Sequence, residues 1–346
     1  MTKDQRQVVV TRCPIGGASE IALQKGWLEE AMNRAGAELV VLQTLPPEEH
    51  IHHYDQDYPL CFREGGNNPP IWGKSKGIET KLIGLVGINQ SHAVLVRPDS
   101  EIRSAADLRG KKLSVPCFAV NRIDFWQAMV RRGYKTILEY YGIKEDEVKF
   151  VEFTVKEKKD FRKVSGTDNS RWVYNKPQGT VPAHQEELEM LAAGDVDAIF
   201  AHGAMVAEIA ELGLAKVLLD ISKTNLLKVN NIYPITITVK KEFAVENPDL
   251  VIVYLQQLLR AAEWAKNNKE ELCAMIARGQ YDTTKQQVIK TRDHDFHLHM
   301  APGFDPELVE LLKLEKDFLR DNGFIQKDFA VDSWMDTSFL TEALKK

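Results

Sequence analysis

Short apolar runs separated by stretches of helical periodicity make up most of the chain, and from the start the alternation reads as β-α-β. Residues 7–11 form an apolar run ending in Thr11. Residues 18–35 place Ile21, Leu28 and Met32 on one helical face with Leu23 and Trp27 on its flank, and residues 38–42 return to a strand pattern. Further strands are expected at 81–86, 92–96, 112–115, 197–200 and 217–219, with a strong helix over 121–133. The run from Gly194 to Phe200 has the form of a buried parallel strand entered from a tight turn. Residues 233–239 alternate like a strand, and 248–266 and 305–322 are long amphipathic helices. The pattern predicts an α/β fold of two lobes, each a mixed sheet flanked by helices, with the second inserted into the first. Lobe I is expected over 1–105 and 234–346 and lobe II over 106–233, with crossings near 97–108 and 230–236 acting as hinges around a ligand cleft. Residues 156–182 are charged and poor in aliphatics, which suits either a lid over that cleft or a solvated insertion.

One stretch departs from this alternation. From His53 to Trp72 the chain is rich in glycine, proline and turn formers, yet carries a histidine, an arginine, amides and aromatics in close order. That composition predicts a binding loop rather than an ordinary helix or central strand. Gly65 and Gly66 would turn the backbone sharply and bare its N–H groups, and Arg63 offers a planar fork of donors for a carboxylate, sulfinate or phosphate. Cys13 follows the first strand, at the C-terminal mouth where an open α/β sheet places its chemistry.

Composition narrows the function classes. The 346 residues, 44% hydrophobic and 27% charged, are ordinary for a soluble globular chain large enough for two lobes. A net charge of −5 with both signs interspersed leaves no basic stripe for nucleic acid and no polybasic membrane patch. The four cysteines, Cys13, Cys61, Cys117 and Cys273, show no C-x-x-C spacing, so they are read as reduced thiols without a zinc site. The amino terminus shows no signal-peptide pattern and no stretch approaches a membrane span, from which a cytoplasmic location is expected. No nucleotide-binding loop, serine-hydrolase elbow or zinc-protease motif is present, so the expected chemistry uses no cofactor.

The segment Phe62-Arg-Glu-Gly-Gly-Asn-Asn-Pro-Pro-Ile-Trp, the phrase Thr80-Lys-Leu-Ile-Gly-Leu, the junction Ala106-Asp-Leu-Arg-Gly-Lys-Lys-Leu and the run Gly194-Asp-Val-Asp-Ala resemble the sulfonate- and thiamine-precursor-binding proteins of type II periplasmic-binding-protein fold. Within that group the sequence is most similar to the hydroxybiphenyl sulfinate desulfinases, which use the fold to remove sulfinate from an aromatic ring. The resemblance runs over nearly the whole chain. It implies that the essential cysteine falls on Cys13, the active-site histidine and arginine on His53 and Arg63, and the glycine whose N–H contacts the sulfinate on Gly66. The family serine two residues before the cysteine is Thr11 here, which keeps a hydroxyl. Two departures stand out: the loop between cysteine and histidine is longer, and the family's tryptophan-bearing segment becomes Phe200-Ala-His202-Gly. The resemblance therefore carries over the anion site but not the ring pocket.

Two functions follow as expectations. As an enzyme the protein would cleave the C–S bond of a small, aromatic sulfinate, with Cys13, His53 and Arg63 catalytic and Thr11, Gly65, Gly66, Asn67, Trp72, Asn121, Arg122 and His202 binding substrate. As a binding protein it would close on a sulfonate or related anion for delivery to a transporter. Phe118, Asn121, Arg122, Phe125 and Trp126 sit at a strand-to-helix junction and serve either the helix core or the cleft. Asn121 and Arg122 are the better cleft candidates because anions favour helix starts. His50 and His52 crowd His53 and compete with it for the site. His294, His297 and His299 invite a metal reading, against which a structural or cleft-lining role is favoured for want of a further ligand.

Overall fold

The computed structural model describes residues 6–118, 122–155, 181–279 and 283–345. Asn121 and residues 156–180 of the expected lid lie outside them. Ten strands follow along the described chain: β1 (Arg6–Thr11), β2 (Ala37–Val41), β3 (Cys61–Gly65), β4 (Thr80–Val86), β5 (His92–Val96), β6 (Lys112–Cys117), β7 (Lys149–Thr154), β8 (Ala198–His202), β9 (Lys216–Asp220) and β10 (Ile235–Lys240). They form two five-stranded sheets, ordered β2-β1-β3-β10-β4 and β7-β6-β8-β5-β9.

In the first sheet β1 lies between β2 and β3, parallel to both, and β10 runs antiparallel between β3 and β4. A strand covered on both faces must be apolar throughout its middle, and Val8, Val9 and Val10 are buried completely or nearly so. On one face Phe62 of β3 stacks on Tyr254 of the helix Pro248–Asn267, ring centroids 4.2 Å apart, and meets Phe243 edge-on. The second sheet has its own core, in which Tyr134 and Ile137 of the helix Phe125–Tyr140 pack against Phe200 of β8 and Val94 of β5.

The stretch 53–72 is not one loop. Its middle is β3, a five-residue strand buried at every position in the centre of the sheet, and its end opens the helix Asn68–Ser75. Turn-forming residues flank the strand on both sides and mask it. The expected helix over 18–35 is two helices, Ala18–Gln24 and Trp27–Arg34, broken at Gly26, whose positive φ of 71° ends one and caps the next.

The first crossing also comes earlier than expected. β5 pairs with β8 and β9, so the chain enters the second sheet at 87–91, between β4 and β5, and residues 92–105 lie with lobe II rather than lobe I. The return passes through 221–234, where Asn230 and Tyr233 bond each other's backbone. The C-terminal part of the chain reinforces the connection. Gln287 donates to Glu211 at 2.9 Å and Thr291 accepts from the Ser91 N–H at 2.7 Å.

Candidate functional site

β1 and β3 end side by side, with Thr11 paired to Arg63, and this register decides which side chains share the cleft. The residue after Thr11 is Arg12 and the next is Cys13, so the thiol emerges at the strand's mouth beside the Arg63 guanidinium. A cavity of about 110 Å³ opens there between the two sheets. Lobe I lines it with Cys13, His53, Arg63 and Gly66; lobe II faces them with Phe125, Trp126 and His202.

Two arginines border this space and differ in charge balance. Arg12 is buried but ion-paired to Glu20, with Nε 2.9 Å from Oε2. Arg63 is 3% exposed and has no carboxylate partner among the described residues. Its Nε donates to the His53 carbonyl at 3.0 Å and its Nη1 to the Gly66 carbonyl at 2.7 Å, while Nη2 bonds none of the described residues. Burial lowers the Arg63 pKa, and the Cys13 thiol opposes that shift. The coupling is mutual: a thiolate at Cys13 and the guanidinium at Arg63 stabilise one another.

His53 is buried, and its Nδ1 lies against the Thr11 hydroxyl. Gln43 fixes that hydroxyl in turn. Its amide exchanges bonds with the Arg12 backbone, N–H to Oε1 and Nε2 to carbonyl at 3.0 Å each, and donates to Thr11 Oγ1 at 3.3 Å. A hydroxyl that accepts from Gln43 is set to donate to His53 Nδ1, an arrangement that leaves the proton on Nε2. His50 and His52 are held elsewhere, on the Leu45 carbonyl and Asp55, so His53 is the one that reaches the cavity.

The glycine pair is explained by close approach rather than by turning. A Cβ on Gly65 would sit 2.9 Å from the Arg63 guanidinium carbon, and one on Gly66 would sit 2.7 Å from Asn231 Oδ1. The N-terminus of Ala18–Gln24, a candidate for favouring the thiolate, is occupied by Glu64, which accepts from the Ser19 N–H at 2.7 Å and the Ala18 N–H at 3.2 Å. Burial raises the Glu64 pKa, and those two N–H bonds oppose the shift.

Several expected binding residues stand away from the cavity. Gly65 lies within β3 behind the guanidinium. Asn67 is fully buried and clamps the return crossing, its amide on the carbonyls of Asn230 and Pro234 at 2.9 Å each. Trp72 packs in the cluster around Ile71 and Leu312. Arg122 is exposed and pairs with Asp55 at 3.6 Å, across the rim. Phe125 and Trp126 line the cavity instead, because Asp124 caps the Phe125–Tyr140 helix and turns its first residues inward. Gln43, Tyr54 and Asn231 were also not expected, and no local motif marks them. His297 lies in the turn Phe296–Leu298, and His299 bonds Asp295 at 3.1 Å on the surface. Among the described residues no group of three or more histidine, cysteine, aspartate or glutamate side chains could hold a metal, and no helix is long and apolar enough to cross a membrane.

This two-sheet arrangement matches known structures along its whole length. A crystal structure of a cysteine-to-serine mutant of DSZB, in complex with biphenyl-2-sulfinic acid, superposes with a TM-score of 0.77 at 22% identity over 99% of each chain. The periplasmic sulfonate-binding protein from Methylobacillus flagellatus KT superposes with a TM-score of 0.71 at 15% identity, over 99% of this chain and 95% of that one. The chain has the type II periplasmic-binding-protein fold. In sequence it is 25% identical to the 2'-hydroxybiphenyl-2-sulfinate desulfinase of Rhodococcus erythropolis, over 97% of this chain and 93% of the relative. A shorter match, 36% identical over 99 residues, is to a putative aliphatic sulfonates-binding protein of Bacillus subtilis (strain 168), covering 28% of this chain and 29% of that one. The NMT1/THI5-like family profile matches residues 69–164.

Proposed function

We propose that the protein is a desulfinase that cleaves the C–S bond of a small aromatic sulfinate without a cofactor. The observation that carries the reading is Arg63, a buried guanidinium in the cleft wall with no carboxylate partner among the described residues, set beside a thiol. An unpaired buried charge is costly, by several kcal/mol in effective terms, and an anionic ligand offsets that cost. Arg63 Nη2 and the Gly66 N–H would hold the sulfinate oxygens, as the similarity to the desulfinase supports.

Two routes balance. In the first, the Cys13 thiol protonates the ring carbon, the C–S electron pair stays with carbon, and sulfur dioxide leaves. Water adds to the sulfur dioxide to give bisulfite and a proton, which restores the thiol through His53. In the second, the Cys13 thiolate attacks sulfur, the ring leaves with its bonding pair and takes a proton from His53, and water releases bisulfite from the Cys13 S–SO₂⁻ adduct and restores the thiol. In both, ArSO₂⁻ and water become ArH and HSO₃⁻. Mass spectrometry of rapidly quenched protein separates them, since only the second leaves mass on Cys13.

The alternative, a binding protein for a sulfonate, draws on the shared fold and on the match to sulfonate-binding relatives. Turnover decides between the two. Stoichiometric formation of arene and sulfite from benzenesulfinate supports the enzyme; tight binding with the sulfinate recovered intact supports the binding protein.

A further inference from the structure

Gly66 is gripped from both sides. On one, Arg63 Nη1 donates to its carbonyl at 2.7 Å; on the other, the Asn231 carboxamide lies so close to its α carbon that an added Cβ would meet Oδ1 at 2.7 Å and Nδ2 at 2.9 Å. Arg63 and Asn231 are both buried, and both border the cavity together with Gly66 and Cys13. Each is anchored through part of its polar group and keeps one nitrogen unbonded among the described residues, Nη2 on the arginine and Nδ2 on the asparagine.

The anchoring of Asn231 fixes where that nitrogen points. The residue belongs to the return crossing between the lobes, which a cluster of asparagines ties to the end of β3. The Asn67 N–H donates to the Asn231 carbonyl at 2.7 Å, the Asn67 amide holds the carbonyls of Asn230 and Pro234, and the Asn68 N–H donates to Asn231 Oδ1 at 3.0 Å. A backbone N–H bonds the oxygen of a carboxamide and not its nitrogen, so this last bond settles which end of the side chain is which. Nδ2 is thereby a pinned donor. Nor is it sealed in protein, as the unpartnered amide atoms of Asn68 are. On a side chain that lines the cavity, an open and pinned donor meets whatever occupies that cavity.

Its lack of charge matters as much as its place. The amide adds a hydrogen bond but no second positive charge, so beside the single cation of Arg63 it suits an anion of one negative charge. A sulfinate oxygen, like a carboxylate oxygen, accepts more than one hydrogen bond, so this donor adds to Arg63 Nη2 and the Gly66 N–H rather than replacing either. We infer that Asn231 is a further binding residue for the anionic group, its Nδ2 donating to an oxygen on sulfur, so that the substrate is held where the chain crosses between the lobes. The inference rests on the desulfinase reading for the identity of that group.

The test uses the Cys13→Ser protein with and without Asn231→Asp. Aspartate keeps an acceptor for the Asn68 N–H but loses the donor, and so separates anion binding from the clamp. Calorimetry near pH 7 is expected to show the affinity for benzenesulfinate and for benzenesulfonate falling about thirtyfold or more, with the urea midpoint unchanged. A loss of less than about threefold overturns the inference while leaving sulfinate binding, and the desulfinase reading, intact. A loss between those limits, or a variant that unfolds, is decided by the crystal structure of the Cys13→Ser protein with benzenesulfinate. A sulfinate oxygen within about 3.2 Å of Nδ2 supports the role of Asn231, and none within that reach overturns it. If the Cys13→Ser protein binds benzenesulfonate alone, the desulfinase reading fails, and the same comparison on that ligand decides Asn231. Binding of neither overturns both.

Discussion

Arg63 reaches three residues along its own chain to donate from Nη1 to the Gly66 carbonyl at 2.7 Å, while its Nε holds the His53 carbonyl at 3.0 Å. One side chain therefore fixes the backbone of two residues that line the cavity with it. A side chain placed this way supports the fold as well as lining the cavity.

Arg63→Ala is expected to weaken binding of benzenesulfinate by tenfold or more and also to destabilise the protein. Two buried carbonyls would lose their donors, at roughly 1–3 kcal/mol each. Calorimetric titration and urea denaturation on the same sample check both. An unfolding midpoint equal to that of the parent would show that the carbonyls are served by other donors.

Cys13→Ser keeps a small half-buried group at the strand mouth. It is expected to fold and bind a sulfinate while turnover falls by at least 10³-fold, since the hydroxyl offers neither an accessible proton nor a thiolate near pH 7. Sulfite release, followed against the parent enzyme, is the measurement; retention of most of the activity would remove the thiol from the mechanism.

Gly17→Ala probes the Glu64 cap. A Cβ there would lie 2.5 Å from the Glu64 carboxylate carbon, closer than side chains tolerate, so the carboxylate must leave the Ala18 and Ser19 N–H groups. The expected cost is about 1–3 kcal/mol from the lost charge-assisted bonds. Combining Gly17→Ala with Glu64→Gln should cost less than the sum of the two changes, because both remove the same contact.

The sheets and the grouping of Cys13, His53, Arg63 and Gly66 around one cavity were more legible in the sequence than the far wall. Val8 to Val10 and the 92–96 run announce buried strands because they are apolar at consecutive positions. β3 was hidden because its five residues end in Gly65 itself and are flanked by Tyr58-Pro59 on one side and Gly66 on the other, and those turn formers outweigh the short run in any local reading. The position of Cys13 opposite Arg63 follows from the register of β1 on β3, which no local pattern carries. Helical spacing left Trp126 open between helix core and cleft; that it borders the cleft depends on where Asp124 starts the helix.

The link between Arg132 and Glu315 joins the two lobes behind the cleft, with Nε 3.4 Å from Oε2 and both side chains buried. Burial raises Glu315 from 4.5 to about 7, although Arg132 opposes the shift. Between those values the folded protein holds a proton that the unfolded chain has released, so this group's contribution to stability falls as pH rises from about 4.5 to 7. His92 and His202 act with the opposite sign, since their lowered values make the unfolded chain bind the extra proton below pH 6.5. The stability of Glu315→Gln relative to the parent should therefore rise by about 2–3 kcal/mol from pH 4.5 to 7. Denaturation curves of both proteins across that range isolate the term, and a constant difference would mean that Glu315 is ionised throughout.

Tyr54 and Phe125 close the front of the cleft, one from each lobe, stacked at 5.8 Å with 15° between their planes, and Asp55 and Arg122 pair beside them. A ligand held between Arg63 and Trp126 is enclosed by that contact, and enclosure excludes water from the thiol and from the departing sulfur dioxide. The ion pair is exposed on the arginine side and adds at most ~1 kcal/mol, whereas an aromatic pair adds about 0.5–1.5 kcal/mol beyond its buried area. Tyr54→Ala is thus expected to loosen closure more than Arg122→Ala does, raising the dissociation rate of benzenesulfinate about tenfold against less than about fivefold. Small-angle scattering should show the parent compacting on adding benzenesulfonate, and Tyr54→Ala compacting less. Identical scattering with and without the ligand in the parent would mean that the lobes are already closed in solution and that Tyr54 and Phe125 form a fixed wall rather than a gate.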